Sequence, residues 1–310
     1  MSPRLNRLLL LLTLTLWGSF GAVHADDDGL LVGFAQDHLA NDWRRAQVHK
    51  MEQLLAEHPA IKFVYTDAGG STARQIRDIE DLVSAGVDIL VTSPRDARAM
   101  TPVIAQAYRQ GVAVILLTRR IKTDDFTSFV APDDAAIARQ AAHYLADQLD
   151  GKGKVLLLQG VPTATTTQQR TEAFLDELSN YPGLSIASIR VANFLRHDAI
   201  RAMEDVLDEG LAFDAIYAQS DSMASGARLA MLNRGIDPGN IPLVGIDYIT
   251  EAREAIIRGV QRASFTYPTS AKEAVELILA ITAGQTVPHH VDVPFVLVDE
   301  HNVDSIEPIF

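Results

Sequence analysis

From residue 30 onward the chain alternates short apolar runs with longer stretches whose apolar residues recur at helical spacing. Residues 30–35 form an apolar run ending near Gln36, and residues 42–58 then place Trp43, Val48, Met51, Leu54 and Leu55 on one side of a helix. Residues 61–65 predict a strand, 72–85 a helix, 87–92 a strand, 97–110 a helix and 112–117 a strand. Turn signals separate them at Gly69-Gly70, Ala85-Gly86 and Gln110-Gly111. Unbroken Val, Ile and Leu runs between amphipathic helices belong to strands buried on both faces, so a parallel sheet covered above and below is expected.

A second series follows Phe129-Val130-Ala131-Pro132. Asp133-Asp134 can cap a helix over 135–149. Strands are expected at 154–159, 184–191, 215–219 and 241–246, with helices at 168–180, 197–209 and 221–233. The last part reads as a strand at 262–266, a helix at 269–283 and a final strand near 293–298. One open sheet of about ten strands would be unusually wide, so the economical fold is α/β with two doubly wound, Rossmann-like lobes. Ligands of open α/β sheets sit beyond the carboxyl ends of the strands. The positions to inspect are therefore Gln36, Thr66, Ser93, Thr118, Gln159, Phe194, Ser220, Asp247 and Tyr267.

Composition fits this reading: 310 residues suffice for two lobes, and 47% hydrophobic with 22% charged residues is ordinary for a globular protein. The N-terminus adds a destination. Arg4 and Arg7 precede an apolar run over 8–17, too short to span a bilayer, and Val23-His24-Ala25 offers small residues for cleavage after Ala25. An uncleaved anchor is the rival reading; the short run and the Asp26-Asp27-Asp28 that follows favour cleavage. There are no cysteines, which excludes a lipid anchor on an N-terminal Cys and leaves an exported protein without disulfides, the periplasm being the natural compartment. The net charge of −13 becomes about −15 once Arg4 and Arg7 are removed (−13 − 2). Such a surface makes nucleic acid a poor partner.

Catalytic and metal signals are weak. His289-His290 stands far in sequence from other metal ligands, and residues 299–304 lack the glycine and spacing of a calcium loop. Gly69-Gly70-Ser71-Thr72 reads as a turn and helix cap, and 163–167 as a polar loop before a helix. Gly33-Phe34-Ala35-Gln36-Asp37 does not supply the G-x-G-x-x-G turn of a dinucleotide enzyme, and neither a phosphate loop nor a nucleophile elbow occurs. No catalytic residue, metal or cofactor is expected.

Six segments in order then carry a resemblance: Val32-Gly33-Phe34-Ala35-Gln36 with Asn41-Asp42-Trp43-Arg44; the run from Gly86 to Pro94; the run from Val114 to Arg119; Leu158-Gln159-Gly160 with Arg170-Thr171-Glu172-Ala173-Phe174; the run from Ala218 to Ala227; and Val244-Gly245-Ile246-Asp247. With these the chain resembles the type I periplasmic binding proteins of ABC sugar importers, the ribose- and galactose-binding class, with some likeness to galactofuranose-binding receptors. The resemblance implies two lobes joined by a three-segment hinge near Ala131-Pro132, Tyr267-Pro268 and residues 291–294. It places 26–131 with 268–291 in an N-terminal lobe and 132–267 with 292–310 in a C-terminal lobe. The ligand would lie between them, and the partner would be the membrane permease of an importer or, alternatively, a chemoreceptor or histidine kinase. Repressors of the same fold begin with a helix-turn-helix, where this chain has an export signal.

A sugar needs planar polar groups and aromatic plates. Trp43 and Phe194 are the candidate plates, although a Trp at that helix position can equally be core. The resemblance assigns Asp247 to sugar hydroxyls, against a simpler role as a cap or hinge carboxylate, and gives Arg119 and Arg44 ligand contact. One of Gln168 and Arg170, expected at a helix start, should reach the cleft. Gln36, Asn41, Ser93, Ser220 and Tyr267 complete the set. Departures from the family pattern are Thr118 before Arg119, Ser220 before Asp221, and Ser93. With those acceptors missing, buried arginines need an acid partner or an acidic ligand, which suggests a sugar acid, a phosphorylated or furanose sugar, or a signalling molecule.

Overall fold

The computed structural model describes residues 29–310. The expected export signal and cleavage after Ala25 fall outside the described residues. In chain order the first half holds β1 (Leu30–Gln36), α1 (Asp42–Leu55), β2 (Ile61–Asp67), α2 (Thr72–Ser84), β3 (Ile89–Thr92), α3 (Ala97–Arg109), β4 (Ala113–Leu117) and β5 (Ser128–Ala131). Then come α4 (Asp134–Gln148), β6 (Gly153–Gln159), α5 (Thr165–Leu178), β7 (Leu184–Val191), α6 (Arg196–Asp208), β8 (Ala215–Ala218), α7 (Asp221–Asn233), β9 (Leu243–Asp247), α8 (Thr250–Ile257) and β10 (Ala263–Thr266). The chain closes with α9 (Ala271–Thr282), β11 (His290–Asp292) and β12 (Leu297–Asp299).

These strands form two six-stranded sheets, ordered β2-β1-β3-β4-β5-β11 and β7-β6-β8-β9-β10-β12. The pairs are parallel except β10 with β12. Each sheet is doubly wound, so its central strands are apolar on both faces. In the first lobe Phe34, Val91 and Ile115 pack under α1 and α9 against Val48, Met51 and Ile278. Their neighbours Leu90, Val114 and Leu116 point the other way, against Ile79 of α2 and Met100 and Ile104 of α3. The second lobe repeats the arrangement: Leu157, Tyr217 and Ile246 meet Ile137, Ala141 and Phe174, while Leu156, Leu158 and Ile216 meet Met203, Met223 and Ala227.

The chain passes between the sheets three times: after β5, after β10, and between β11 and β12. The last pass corrects the single strand expected over 293–298. Pro294 cannot donate to a ladder, and the segment instead splits, β11 pairing with β5 and β12 running antiparallel beside β10. Helix α8 has no counterpart in the sequence reading, because its eight residues bury only Ala252, Ala255 and Ile256 and leave a faint apolar stripe. Among the described residues no helix is long and apolar enough to cross a membrane.

Candidate functional site

The carboxyl ends of the strands in both sheets face one another across a cleft, and between them lies a small cavity of about 30 Å³. Trp43, Phe194 and Tyr267 form its apolar walls, and Asn41, Arg44, Thr118, Thr166, Arg170, Ser220 and Asp247 its polar ones.

Local sequence sets each wall. Asn41 caps α1 by accepting the Arg44 N–H at 2.9 Å, the arrangement that starts helices, and so fixes Trp43 and Arg44 in its first turn. The Trp43 indole donates to the Tyr267 carbonyl at 2.8 Å, and the two rings lie 5.7 Å apart at 54°. Trp43 thus lines the cavity and also packs in the second lobe's core. Phe194 sits with Asn193 in a tight turn at φ +62° and +52°, a conformation uncommon outside glycine. Its ring occupies the space above Gly160, where an added Cβ would lie 2.0 Å from the ring.

The charged groups are paired. Arg119 donates to Asp37 at 2.8 Å, and both side chains are fully buried; Arg44 Nε and Arg95 approach the same carboxylate at 3.6 and 3.7 Å. Burial alone would raise the Asp37 carboxyl, but Arg119 and Arg44 outweigh it and hold it well below the usual carboxylate range. Burial, and then the Arg119 charge, lower Arg44 to about 10, where it is still a cation at neutral pH; it donates to Ser93 Oγ at 2.7 Å. Arg170 donates to Asp134 at 2.7 Å and to the Gln219 carbonyl at 2.6 Å, and lies over the Tyr267 ring at 4.5 Å. Burial would lower Arg170, but Asp134 reverses the sign and raises it. Asp247 reaches the cavity from a backbone at φ +120°. Burial and the neighbouring Asp221 push its carboxyl well above the ordinary range, against Arg170 and Arg44.

Hydrogen bonds span the cleft around this cavity. Asn41 Nδ2 donates to the Phe194 carbonyl at 2.7 Å, and Thr166 Oγ1 to the Thr118 carbonyl at 2.7 Å. Arg120 N–H donates to Thr165 Oγ1 at 2.9 Å, Thr163 Oγ1 to the Arg95 carbonyl at 3.0 Å, and Ala97 N–H to the Thr163 carbonyl at 3.2 Å.

Eight of the twelve residues singled out in the sequence line the cavity: Asn41, Trp43, Arg44, Arg170, Phe194, Ser220, Asp247 and Tyr267. Three others stand just behind the wall. Gln36 is spent on Gln47 and the Asp37 N–H, Ser93 receives Arg44, and Arg119 is held by Asp37. Gln168 is turned away from the cavity: its amide donates to the Pro162 carbonyl, and it borders a separate open groove where α3 of the first lobe meets residues 163–168. The cause is that α5 begins at Thr165, so 163–167 is not all loop and Gln168 is not at the helix start. Thr166 and Arg170, four residues apart, share the cleft face, while Gln168 lies about 200° around from each.

The sequence reading marked Thr118 as a strand end but left it out of the site set, and it missed Thr166 as a wall residue and Asp37 and Asp134 as acid partners. Asp37 and Asp134 supply the acid partners that the argument for an acidic ligand lacked: Arg119 bonds Asp37, which Arg44 and Arg95 also approach, and Arg170 bonds Asp134. The Asp133-Asp134 doublet was the available signal, because one residue suffices as a cap. Asp133 is that cap, accepting the Ala136 N–H at 2.8 Å, which leaves Asp134 for Arg170.

Two doubly wound lobes with three chain crossings and a shut, aromatic-walled cleft define a two-lobed binding protein of the periplasmic type I architecture. The chain belongs to the family of the periplasmic binding protein domain, which matches residues 32–286. It is similar to the D-ribose/D-allose-binding protein of Pseudomonas aeruginosa, 30% identical over 304 residues that cover 93% of this chain and 94% of that one. A Mycobacterium smegmatis protein solved in complex with β-D-fucofuranose superposes with a TM-score of 0.84 at 27% identity, over 89% of this chain and 93% of that one. The fructose-binding periplasmic domain of a hybrid two-component system superposes at 0.83 and 27% identity, over 89% and 92%.

Proposed function

We propose that the protein is an exported periplasmic receptor that captures a single-ring, uncharged sugar or sugar-like polyol between its lobes and delivers it to the permease of an ABC importer. The lobes are 26–131 with 268–291 and 132–267 with 292–310, and they open and close about the three crossings. The observation that carries the reading is the cavity itself: both lobes build it, three aromatic rings wall it, and the buried Arg119 and Arg170 already bond carboxylates of the protein. Trp43, Phe194 and Tyr267 suit the CH faces of a sugar ring, and Asp247 suits hydroxyl donors. Behind this wall Arg119 Nε and Nη2 are buried without a hydrogen-bond partner among the described residues, a costly state in a folded protein that a ligand oxygen reaching past the wall would relieve. No catalytic role is assigned to any residue.

A calorimetric and thermal-shift panel of neutral pentoses, hexoses, polyols and sugar acids tests this. A true ligand at a hundredfold over its Kd raises stability by about 2.7 kcal/mol, and Asp247→Asn and Trp43→Ala should each abolish that gain. Binding confined to sugar acids, or no ligand in the panel at all, defeats the proposal.

The fructose-binding neighbour from a two-component system favours one second reading, a receptor that reports its ligand to a sensor. Failure of a deletion strain to grow on the sugar indicates import. Normal growth with loss of a transcriptional response indicates sensing.

A further inference from the structure

Arg196 opens α6, two residues after Phe194, at the rim of the cleft and outside the cavity. Its Nη2 lies 2.5 Å from Glu251 Oε2 of α8, and its Nε donates to Ser225 Oγ of α7 at 3.1 Å. Both partners belong to its own lobe. The same Nη2 lies 3.5 Å from Asp42 Oδ2, at the start of α1 in the opposite lobe.

The second-lobe side is fixed in advance. Glu251 is also held by Ser225 and faces Arg228 at 3.5 Å; Arg228 bonds Gln261, and Gln261 donates to Asp221 at 2.8 Å. Asp221 is the buried carboxylate whose charge acts on Asp247 in the cavity. On the other side Asp42 is steadied by Arg45. One residue earlier, Asn41 donates to the Phe194 carbonyl, so residues 41–42 meet 194–196 as one small interface. Of these contacts of the guanidinium, the one to Asp42 crosses between the lobes, so a hinge opening would break it and spare those to Glu251 and Ser225.

We propose that Arg196 is a closure latch, a positioning residue that touches no ligand but holds the shut cleft through Asp42 and slows the escape of what is inside. This rests on the hinge motion proposed above. Both side chains are partly exposed, at 39% and 31%, and such pairs are weak and screened by salt. The latch therefore tunes release by roughly two- to fivefold and does not decide whether ligand binds.

The chain lacks cysteine, so one exposed cysteine introduced on each lobe gives a clean pair for distance labels. Arg196→Gln and Asp42→Asn should each lower the closed fraction and, where a sugar from the panel binds, speed its release two- to fivefold. The double variant should do no more than either single one, and high salt should bring the wild type toward the variants. A lower denaturation midpoint with an unchanged closed fraction would mean a merely structural role and overturn the latch, as would additive effects in the double variant. The closed fraction is measured without any sugar, so failure of the sugar panel leaves this test intact.

Discussion

The amide of Asn41 faces two ways: its Oδ1 accepts the Arg44 N–H at 2.9 Å, and its Nδ2 donates to the Phe194 carbonyl of the opposite lobe at 2.7 Å. One side chain thus starts the helix that carries Trp43 and Arg44, and also meets the turn that carries the opposing plate. Local structure in one lobe and contact between the lobes are joined at a single residue.

The two roles can be separated by substitution. Asn41→Asp keeps the cap acceptor and loses the donor, so stability should change little. Ligand affinity should fall about tenfold, the worth of one net hydrogen bond, with a carboxylate now facing a carbonyl. Asn41→Ala loses both and should cost a further ~1 kcal/mol in denaturant unfolding. Equal stability loss in the two variants would show that the cap does not depend on Oδ1.

Gly160 makes room for Phe194. A methyl group there would stand 2.0 Å from the Phe194 ring, too close to be absorbed without moving the plate. Gly160→Ala should therefore destabilise the protein by about 1–3 kcal/mol through overpacking. It should weaken ligand binding at least tenfold, since the displaced ring leaves the cavity wall. Titration calorimetry on this variant at wild-type affinity would remove Phe194 from the site.

The architecture was legible because buried parallel strands and amphipathic helices leave strong periodic signals; β7 and α7 run over the residues expected from pattern alone. The wall residues were legible where a strand end predicts them, as at Ser220, Asp247 and Tyr267. The choice between Gln168 and Arg170 was not, since it turns on where α5 starts, and Ala164 offers no side-chain cap to mark the spot. Nor was the partner of Arg119, because Asp37 lies 82 residues away and is selected by the sheet order that brings β1 near β4. Periodicity encodes which face a residue occupies, whereas ion pairs such as Asp37–Arg119 depend on which strand ends the assembled sheet brings together.

Asp37 holds Arg119 in the protein interior, with Arg44 and Arg95 close by. Asp37→Asn removes the counter-charge and should destabilise the fold by about 3–5 kcal/mol, the cost of leaving a buried cation unpaired. Acid should act in the same direction. The folded carboxyl titrates below its unfolded value, so its contribution is complete above about pH 5 and is lost as pH falls through and below the ordinary Asp range near ~3.9. Urea unfolding from pH 5 to pH 3 should show wild-type stability falling toward that of the variant. Parallel curves would assign the ion pair no part in stability.

Asp221 should produce the opposite slope at higher pH. It is fully buried, and burial raises its carboxyl to about 6, despite hydrogen bonds from Ser264 and Gln261, the Arg228 charge and the Tyr248 N–H. A folded-state value above the unfolded one means that the native state binds the proton more tightly. The resulting stabilisation is full below about pH 4 and is lost as pH rises through about 6. His38 works against it in the same range, because burial lowers its imidazole and disfavours the protonated native form. The pH dependence of the wild type alone therefore mixes two signs, and the difference between wild type and Asp221→Asn reports the Asp221 carboxylate together with the Asp247 carboxyl it acts on. That difference should shift by roughly 1 kcal/mol between pH 5 and pH 7, the wild type losing ground as the pH rises. A difference constant across that interval would place the Asp221 proton outside the folding equilibrium.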